Sequence, residues 1–172
     1  WFIADKTGVG LVAGDMVKVF SVADGLPHGA IRGLCSTREG EVWLATWGGG
    51  ICRYEGDRLR HFGAKGIRVE AIGRDAAGRV WWGAWDKDGL HCWDGTRLRR
   101  FGAADGMLAG DIWCMCLDRQ GRMWFGGLEG LCCYDGEFAH FGVADGLPAA
   151  SVWALCQDSA GDLWVGTQEA GA

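Results

Sequence analysis

Eight cysteines, four histidines and a set of loop tryptophans are the side chains of this chain with the widest chemical reach. Thiolates and imidazoles hold metals when several meet at short spacing, and a histidine beside an orienting partner moves protons. The spacing here serves neither purpose. Cys35, Cys116 and Cys156 fall at one phase of a repeating unit whose remaining copy has Gly73, and Cys114 aligns with Gly33, Ala71 and Ala154. Cys52 and Cys132 share a phase with His91, and Cys92 and Cys133 share one with Arg53. No Cys-x-x-Cys pair with zinc spacing occurs, so the cysteines are expected to act as small buried hydrophobes. No metal, no cofactor and no catalytic residue is expected. The chain has neither a nucleophile motif nor a glycine-rich phosphate loop leading into a helix.

The histidines divide in the same way. His61 and His140 share a column with Val19 and Arg100 and read as solvated edge residues. His28 lies in a linker that shares one end of the fold with Trp47 and Trp85. These two tryptophans stand in a loop where other copies have Leu128 and Gln168, and loops on a rigid scaffold carry binding residues. The expected ligand-binding set is therefore His28, Trp47, Trp85, Asp86, Lys87, Asp88 and Glu129, with rings to stack on a sugar and polar groups to orient it. The competing reading folds each loop tryptophan over its own sheet edge.

The elements that position these residues repeat. Trp1, Trp43, Trp81, Trp124 and Trp164 return about every forty residues, and Phe20, Phe62, Phe101 and Phe141 keep the same beat. A period of ~40–45 residues with short apolar strands is that of a four-stranded propeller blade. In the unit 31–62, four runs of apolar residues are separated by turns at Glu39-Gly40, Gly48-Gly49-Gly50 and Glu55-Gly56. The first run is apolar or small on both faces, as a strand buried on both sides should be. The fourth run carries Arg58 and Arg60 in one copy and Arg97, Arg99 and Arg100 in another, as an outer edge that resists pairing should. The tryptophans at 43, 81, 124 and 164 are expected to pack between blades, and Trp113 and Trp153 share a further packing column.

The predicted fold is all-β: an arc of four-stranded antiparallel blades, about four repeats, belonging to a larger propeller. It has a partial blade at 1–20, blades at 31–62, 69–101 and 112–141, and a partial blade at 152–167. Both ends supply a second strand, so a closed ring of four is not expected. The chain begins inside a repeat and reads as a piece of something longer.

Composition narrows the partners. With 17 basic and 22 acidic residues the net charge is −5, and no basic cluster is present, so nucleic acid is not an expected partner. No apolar run reaches the ~18–20 residues of a membrane span, so this segment is not expected to insert into a membrane.

The stretch Leu147-Pro148, Val152, Leu155, Asp158, Gly161 and Leu163-Trp164-Val165-Gly166-Thr167 resembles the two-component regulator propeller repeat. Asp24-Gly25-Leu26-Pro27 through Trp43, Thr46, Gly50-Ile51 and Arg53-Tyr54 resembles a second copy. Gly66-Ile67 and Asp105-Gly106-Met107-Leu108 depart from it in the linker. The resemblance implies a non-enzymatic sensing or interaction module of a bacterial two-component regulatory protein, whose histidine kinase domain lies elsewhere in the parent. It implies a small-molecule or carbohydrate ligand, or a protein partner, with further blades of the same chain alongside. It also implies a periplasmic or extracellular location. Many unpaired cysteines fit an oxidising compartment poorly, which leaves the cytoplasm open. The alternatives are a propeller lyase of the streptogramin lyase type, using His28 and Glu129, or a structural scaffold.

Overall fold

The computed structural model describes residues 7–37, 40–56, 58–63, 66–85, 89–107 and 110–168, and the backbone of 2–4. Asp86, Lys87 and Asp88, named above, lie outside the described residues. Five antiparallel sheets follow one another along the chain. The first comprises β1 (Phe2–Ala4), β2 (Val9–Ala13) and β3 (Met16–Phe20). The second comprises β4 (Ile31–Ser36), β5 (Val42–Thr46), β6 (Gly50–Glu55) and β7 (Arg58–Phe62). The third holds β8 (Val69–Arg74), β9 (Val80–Ala84), β10 (Gly89–Trp93) and β11 (Leu98–Phe101). The fourth holds β12 (Ile112–Leu117), β13 (Met123–Gly127), β14 (Gly130–Tyr134) and β15 (Phe138–Phe141). The last pairs β16 (Val152–Gln157) with β17 (Leu163–Thr167).

Each sheet is a meander, and its first strand packs beside the first strand of the next: β4 on β8, β8 on β12, β12 on β16. The first strands therefore converge, and β7, β11 and β15 lie outermost. This is the β-propeller arrangement. Where strands converge, side chains must be small. A methyl group on Gly83 would stand 2.5 Å from Ile112 Cβ of the next sheet, so glycine there allows the close approach.

The core lies between sheets. Trp43, Ala45 and Ile51 of the second sheet meet Val69, Val80 and Trp82 of the third. Trp81, Leu90, Cys92 and Phe101 of the third meet Ile112, Met123 and Phe125 of the fourth. Trp124, Leu131 and Cys133 meet Val152 of the last. The middle strands β5, β9 and β13 are buried at every position. Edge-to-face and stacked rings fix the register, with Trp43 and Phe62 centroids 4.8 Å apart and Trp81 and Phe101 5.4 Å apart.

Two expectations change. Trp164, placed by its phase between blades, is 58% exposed, because among the described residues no sheet packs on the outer face of β16–β17. Strand β3 carries no arginine, and the exposed Met16 stands where its equivalents have Arg58, Arg97 and Glu137.

Three of the inter-sheet linkers share one design. Asp24 accepts from the backbone and hydroxyl of Ser21, both at 2.8 Å, and Asp105 and Asp145 accept from Gly102 and Gly142 amides at 3.0 and 2.9 Å. Each of these 3₁₀ turns then ends on a glycine in the left-handed region, such as Gly25 at φ 102°. Aspartate at this phase caps the turn.

Candidate functional site at the linker end of the sheets

The two ends of each sheet differ in what they hold. At the turn end, Trp81 Nε1 and Trp124 Nε1 donate to Asp75 and Asp118, each at 2.8 Å, and Trp164 Nε1 donates to Asp158 at 2.9 Å. Arg79 and Arg122 close the group onto the same carboxylates at 2.5 and 2.6 Å. Burial pushes the Asp118 carboxyl up, but the Trp124 and Arg122 donors outweigh it and hold the group below the usual carboxylate range. Sequence reasoning did not find this clip, although an aspartate six residues before each tryptophan was its signal. The second sheet lacks it. Thr37 stands at the aspartate position, and Glu41, in the arginine position, accepts from Trp43 Nε1 at 3.3 Å and pairs with Arg53 at 3.3 Å. Charge has swapped places there. This is structural chemistry, used to pin a buried indole.

The linker end presents side chains instead. In every copy that has both a first and a second strand, an amide just past the second strand bonds to the carbonyl preceding the first: Trp47 to Ala30, Trp85 to Arg68, Leu128 to Asp111 and Gln168 to Ser151. In every copy the first strand then slips register, at Ile31/Gly33, Val69/Ala71, Ile112/Cys114 and Val152/Ala154. A β-bulge of this kind bends the strand and re-aims the extra side chain. The bulged residues are Arg32, Glu70, Trp113 and Trp153. The backbone repeats; these side chains do not.

Together they form a continuous arc. Trp47 and Trp85 centroids are 5.2 Å apart, Trp85 and Trp113 6.0 Å, and Trp113 and Trp153 4.3 Å. The guanidinium of Arg32 lies 4.6 Å over Trp47, and that of Arg68 lies 5.4 Å from Trp47 and 5.9 Å from Trp85. Arg32 Nε sits 3.4 Å from Glu70 Oε2. Burial pushes the Glu70 carboxyl up, and Arg32 partly offsets it. Trp153 is 45% exposed, and its Nε1 donates to Gln168 at 3.2 Å, which fixes the ring.

Of the residues expected to bind ligand, Trp47 and Trp85 meet each other here. They pack over the neighbouring sheets rather than over their own edges. His28 accepts from the Ala30 amide at 3.0 Å and lies beside Gly48, next to Trp47. Glu129 is exposed and lies against Gly110, on the fourth sheet. Trp113 and Trp153, read from sequence as packing residues, join the loop tryptophans, and Arg32, Arg68 and Glu70 complete the arc.

Of the rim histidines, His140 is exposed, as its column suggested, and His61 is half-buried. His61 Nε2 bonds to the Gly49 carbonyl at 2.8 Å, and His140 Nε2 to the Gly106 carbonyl. Both tie an outer strand to the linker end. The eight cysteines are free thiols. Burial pushes Cys52 up to about 11 and Cys92 and Cys114 up to about 12, which keeps them protonated and inert as nucleophiles. Cys156 departs from the expected burial and is exposed, because it belongs to the uncovered last sheet. Among the described residues no helix is long and apolar enough to cross a membrane.

Comparison with known proteins agrees with this architecture. No curated protein matches the chain in sequence. Among the solved structures that share the fold are two extracellular domains and a lyase. The extracellular domain of the hybrid two component system BT3049 from B. thetaiotaomicron is 22% identical with a TM-score of 0.78, over 96% of this chain and 26% of that one. The extracellular domain of BT4673 from the same organism is 19% identical with a TM-score of 0.79, over 96% of this chain and 24% of that one. Virginiamycin B lyase from Staphylococcus aureus is 13% identical with a TM-score of 0.72, over 93% of this chain and 56% of its own. The chain thus spans about a quarter of the length of the two extracellular domains. The model of the two component regulator propeller matches residues 25–48, 106–129 and 146–169. Each match runs from a linker, through the bulged first strand, to the loop after the second. The chain is a β-propeller arc, three segments of which match the two-component regulator propeller repeat.

Proposed function

We propose that this arc is a non-enzymatic ligand-binding or interaction module of a two-component regulatory protein, and that its ligand docks at the linker end. The observation that carries this reading is a repeated backbone presenting unrepeated side chains. Four bulges aim arginine, glutamate and two tryptophans at one arc, and packing alone would ask for the same residue each time. The proposed set is His28, Trp47, Trp85 and Glu129, with Asp86, Lys87 and Asp88 next in sequence after Trp85, extended by Arg32, Arg68, Trp113 and Trp153. Two neighbours are named as extracellular domains of two component systems, which supports a sensing role outside the membrane. The uncovered face of Trp164 supports further blades in the parent chain, with the described sheets as three whole blades and two partial ones.

A screen of glycans and small molecules by thermal shift tests this reading. A hit whose affinity falls with Trp153→Ala supports it, and a hit insensitive to Trp47→Ala, Trp85→Ala and Trp153→Ala refutes the location. The lyase alternative rests on a shared fold with virginiamycin B lyase.

A further inference from the structure

The clip of the third sheet does more than anchor an indole, because its guanidinium reaches into the cleft between that sheet and the next. Arg79, paired with Asp75 at 2.5 Å, lies 5.4 Å from the ring centre of Trp81 and 6.0 Å from that of Tyr134 on the fourth sheet. In the corresponding cleft between the second and third sheets the rings are Trp43 and Trp93, and Glu41 stands at the arginine position. No guanidinium enters from that position, and a cleft of about 360 Å³ opens there. That volume falls within the range of small-ligand sites. Buried Trp43 and Val80 and half-buried Trp93 line it, together with Thr37, Glu41, Arg53 and Asp94.

The polar groups of the cleft ask for a positively charged donor. Thr37 Oγ1, at the position of Asp75, is buried and has no hydrogen-bond partner among the described residues. A buried polar atom left unpaired is costly, and an incoming N–H removes that cost. Glu41 accepts from Trp43 Nε1 and pairs with Arg53, both at 3.3 Å, which engages only part of a carboxylate's accepting capacity. Arg53 is shared between Glu41 and Glu55, the latter at 2.7 Å, and lies 5.6 Å over Trp43. Among the described residues no cationic side chain lies over Trp93. Asp94 takes the Arg97 amide, the Thr96 amide and the Thr96 hydroxyl on Oδ1 alone, at 2.7, 2.8 and 2.8 Å. These donors, Arg97 foremost, hold its carboxyl below the usual range and leave Oδ2 for a ligand. We propose that this cleft binds a guanidinium-bearing small molecule. The planar cation takes the place that Arg79 holds in the next cleft, stacked on Trp93, and donates to Thr37 Oγ1, Glu41 and Asp94 Oδ2. An ammonium fits less well, since it has neither a flat face nor a fork. The site lies at the turn end and stands independently of the linker-end reading.

Nα-acetylarginine amide and Nα-acetylcitrulline amide test the inference, since their head groups share shape and differ in charge. In isothermal titration the arginine compound should bind about tenfold more tightly, a ratio worth about 1.4 kcal/mol. Nα-acetyllysine amide should bind several-fold more weakly than the arginine compound. Asp94→Asn, an exposed change, should shrink the arginine-to-citrulline ratio and leave the citrulline compound's affinity in place. The decisive variant combines Thr37→Asp, Glu41→Arg and Arg53→Cys. It keeps the net charge of the cleft but supplies an internal guanidinium where the ligand's would lie. Binding should vanish in that variant, with a melting curve confirming that it is folded. Equal binding of the arginine and citrulline compounds, or of the arginine and lysine compounds, would overturn the proposal. So would failure of the arginine compound at millimolar concentration, or a preference for it that survives Asp94→Asn and the triple variant. Trp153→Ala, at the linker end, should leave the arginine compound's affinity unchanged, and a loss there would overturn this placement. A failed screen at the linker end bears on that reading alone.

Discussion

Trp113 and Trp153 come from neighbouring repeats, yet their ring centroids lie 4.3 Å apart, closer than any other pair of rings in the arc. Two indoles this close and inclined by 30° couple electronically. We expect a far-ultraviolet circular dichroism couplet that Trp153→Ala abolishes. The melting temperature should move little, because the side chain is half exposed and the pair contributes about 0.5–1.5 kcal/mol. A couplet that persists in the variant would place the signal elsewhere and the two rings apart.

Trp124 and Trp164 occupy the same repeat position with opposite surroundings, 8% and 58% exposed. Trp124→Ala should destabilise by about 3–5 kcal/mol, as large aromatic core truncations do. Trp164→Ala should cost under ~1 kcal/mol despite sharing its aspartate partner, since surface changes are usually small. Denaturant titration of both variants reads the difference directly.

The carboxyl of Asp118 is held below the usual range, and that of Asp158 likewise, through Trp164 Nε1 first and then backbone amides. A depressed folded pKa gives stability that is present above the unfolded value near ~3.9 and lost as pH falls through the folded one. Melting temperature should therefore fall on acidification below about pH 4. The fall should be shallower in Asp118→Asn, which is less stable at neutral pH. Parallel slopes for the two proteins would contradict the clip.

The swapped charges of the second sheet predict non-additivity. Glu41→Arg alone sets a second cation beside Arg53 and should destabilise. Adding Thr37→Asp and Arg53→Cys rebuilds the arrangement of the third sheet and should recover most of the loss. Coupling of about 0.5–3 kcal/mol is expected for residues in one network. A simple sum of the single effects would show that the three positions do not interact.

Thiol labelling should rank the cysteines by exposure and ionisation. Cys156 is exposed and should react first with a disulfide reagent at mildly alkaline pH. Cys92, buried and pushed up to about 12, has almost no thiolate there and should react only on unfolding. Mass spectrometry after timed quenching separates the two.

The blades were legible in the sequence because packing between sheets demands the same residue at every return. Trp43, Trp81 and Trp124 announce themselves this way, and so do the capping aspartates 24, 105 and 145. The loop tryptophans 47 and 85 were legible for the opposite reason, as departures from the repeat. Arg32, Glu70, Trp113 and Trp153 were not, because no residue type marks a bulge. On an even alternation they fall on a face of a buried strand, so their role is visible only once the register slip is seen. The clip was missed because its aspartate lies in a turn rich in other polar residues, where turn chemistry alone explains it.

One backbone bond recurs at the linker end of four of the five sheets, from Trp47, Trp85, Leu128 and Gln168 to the carbonyl preceding the bulged strand. It makes no use of the side chain that bears it. Those sockets can therefore be refilled without disturbing the frame, while the indole–carboxylate anchors at the far end keep each plate upright. Specificity in such a molecule can drift, or be rewritten by design, one socket at a time.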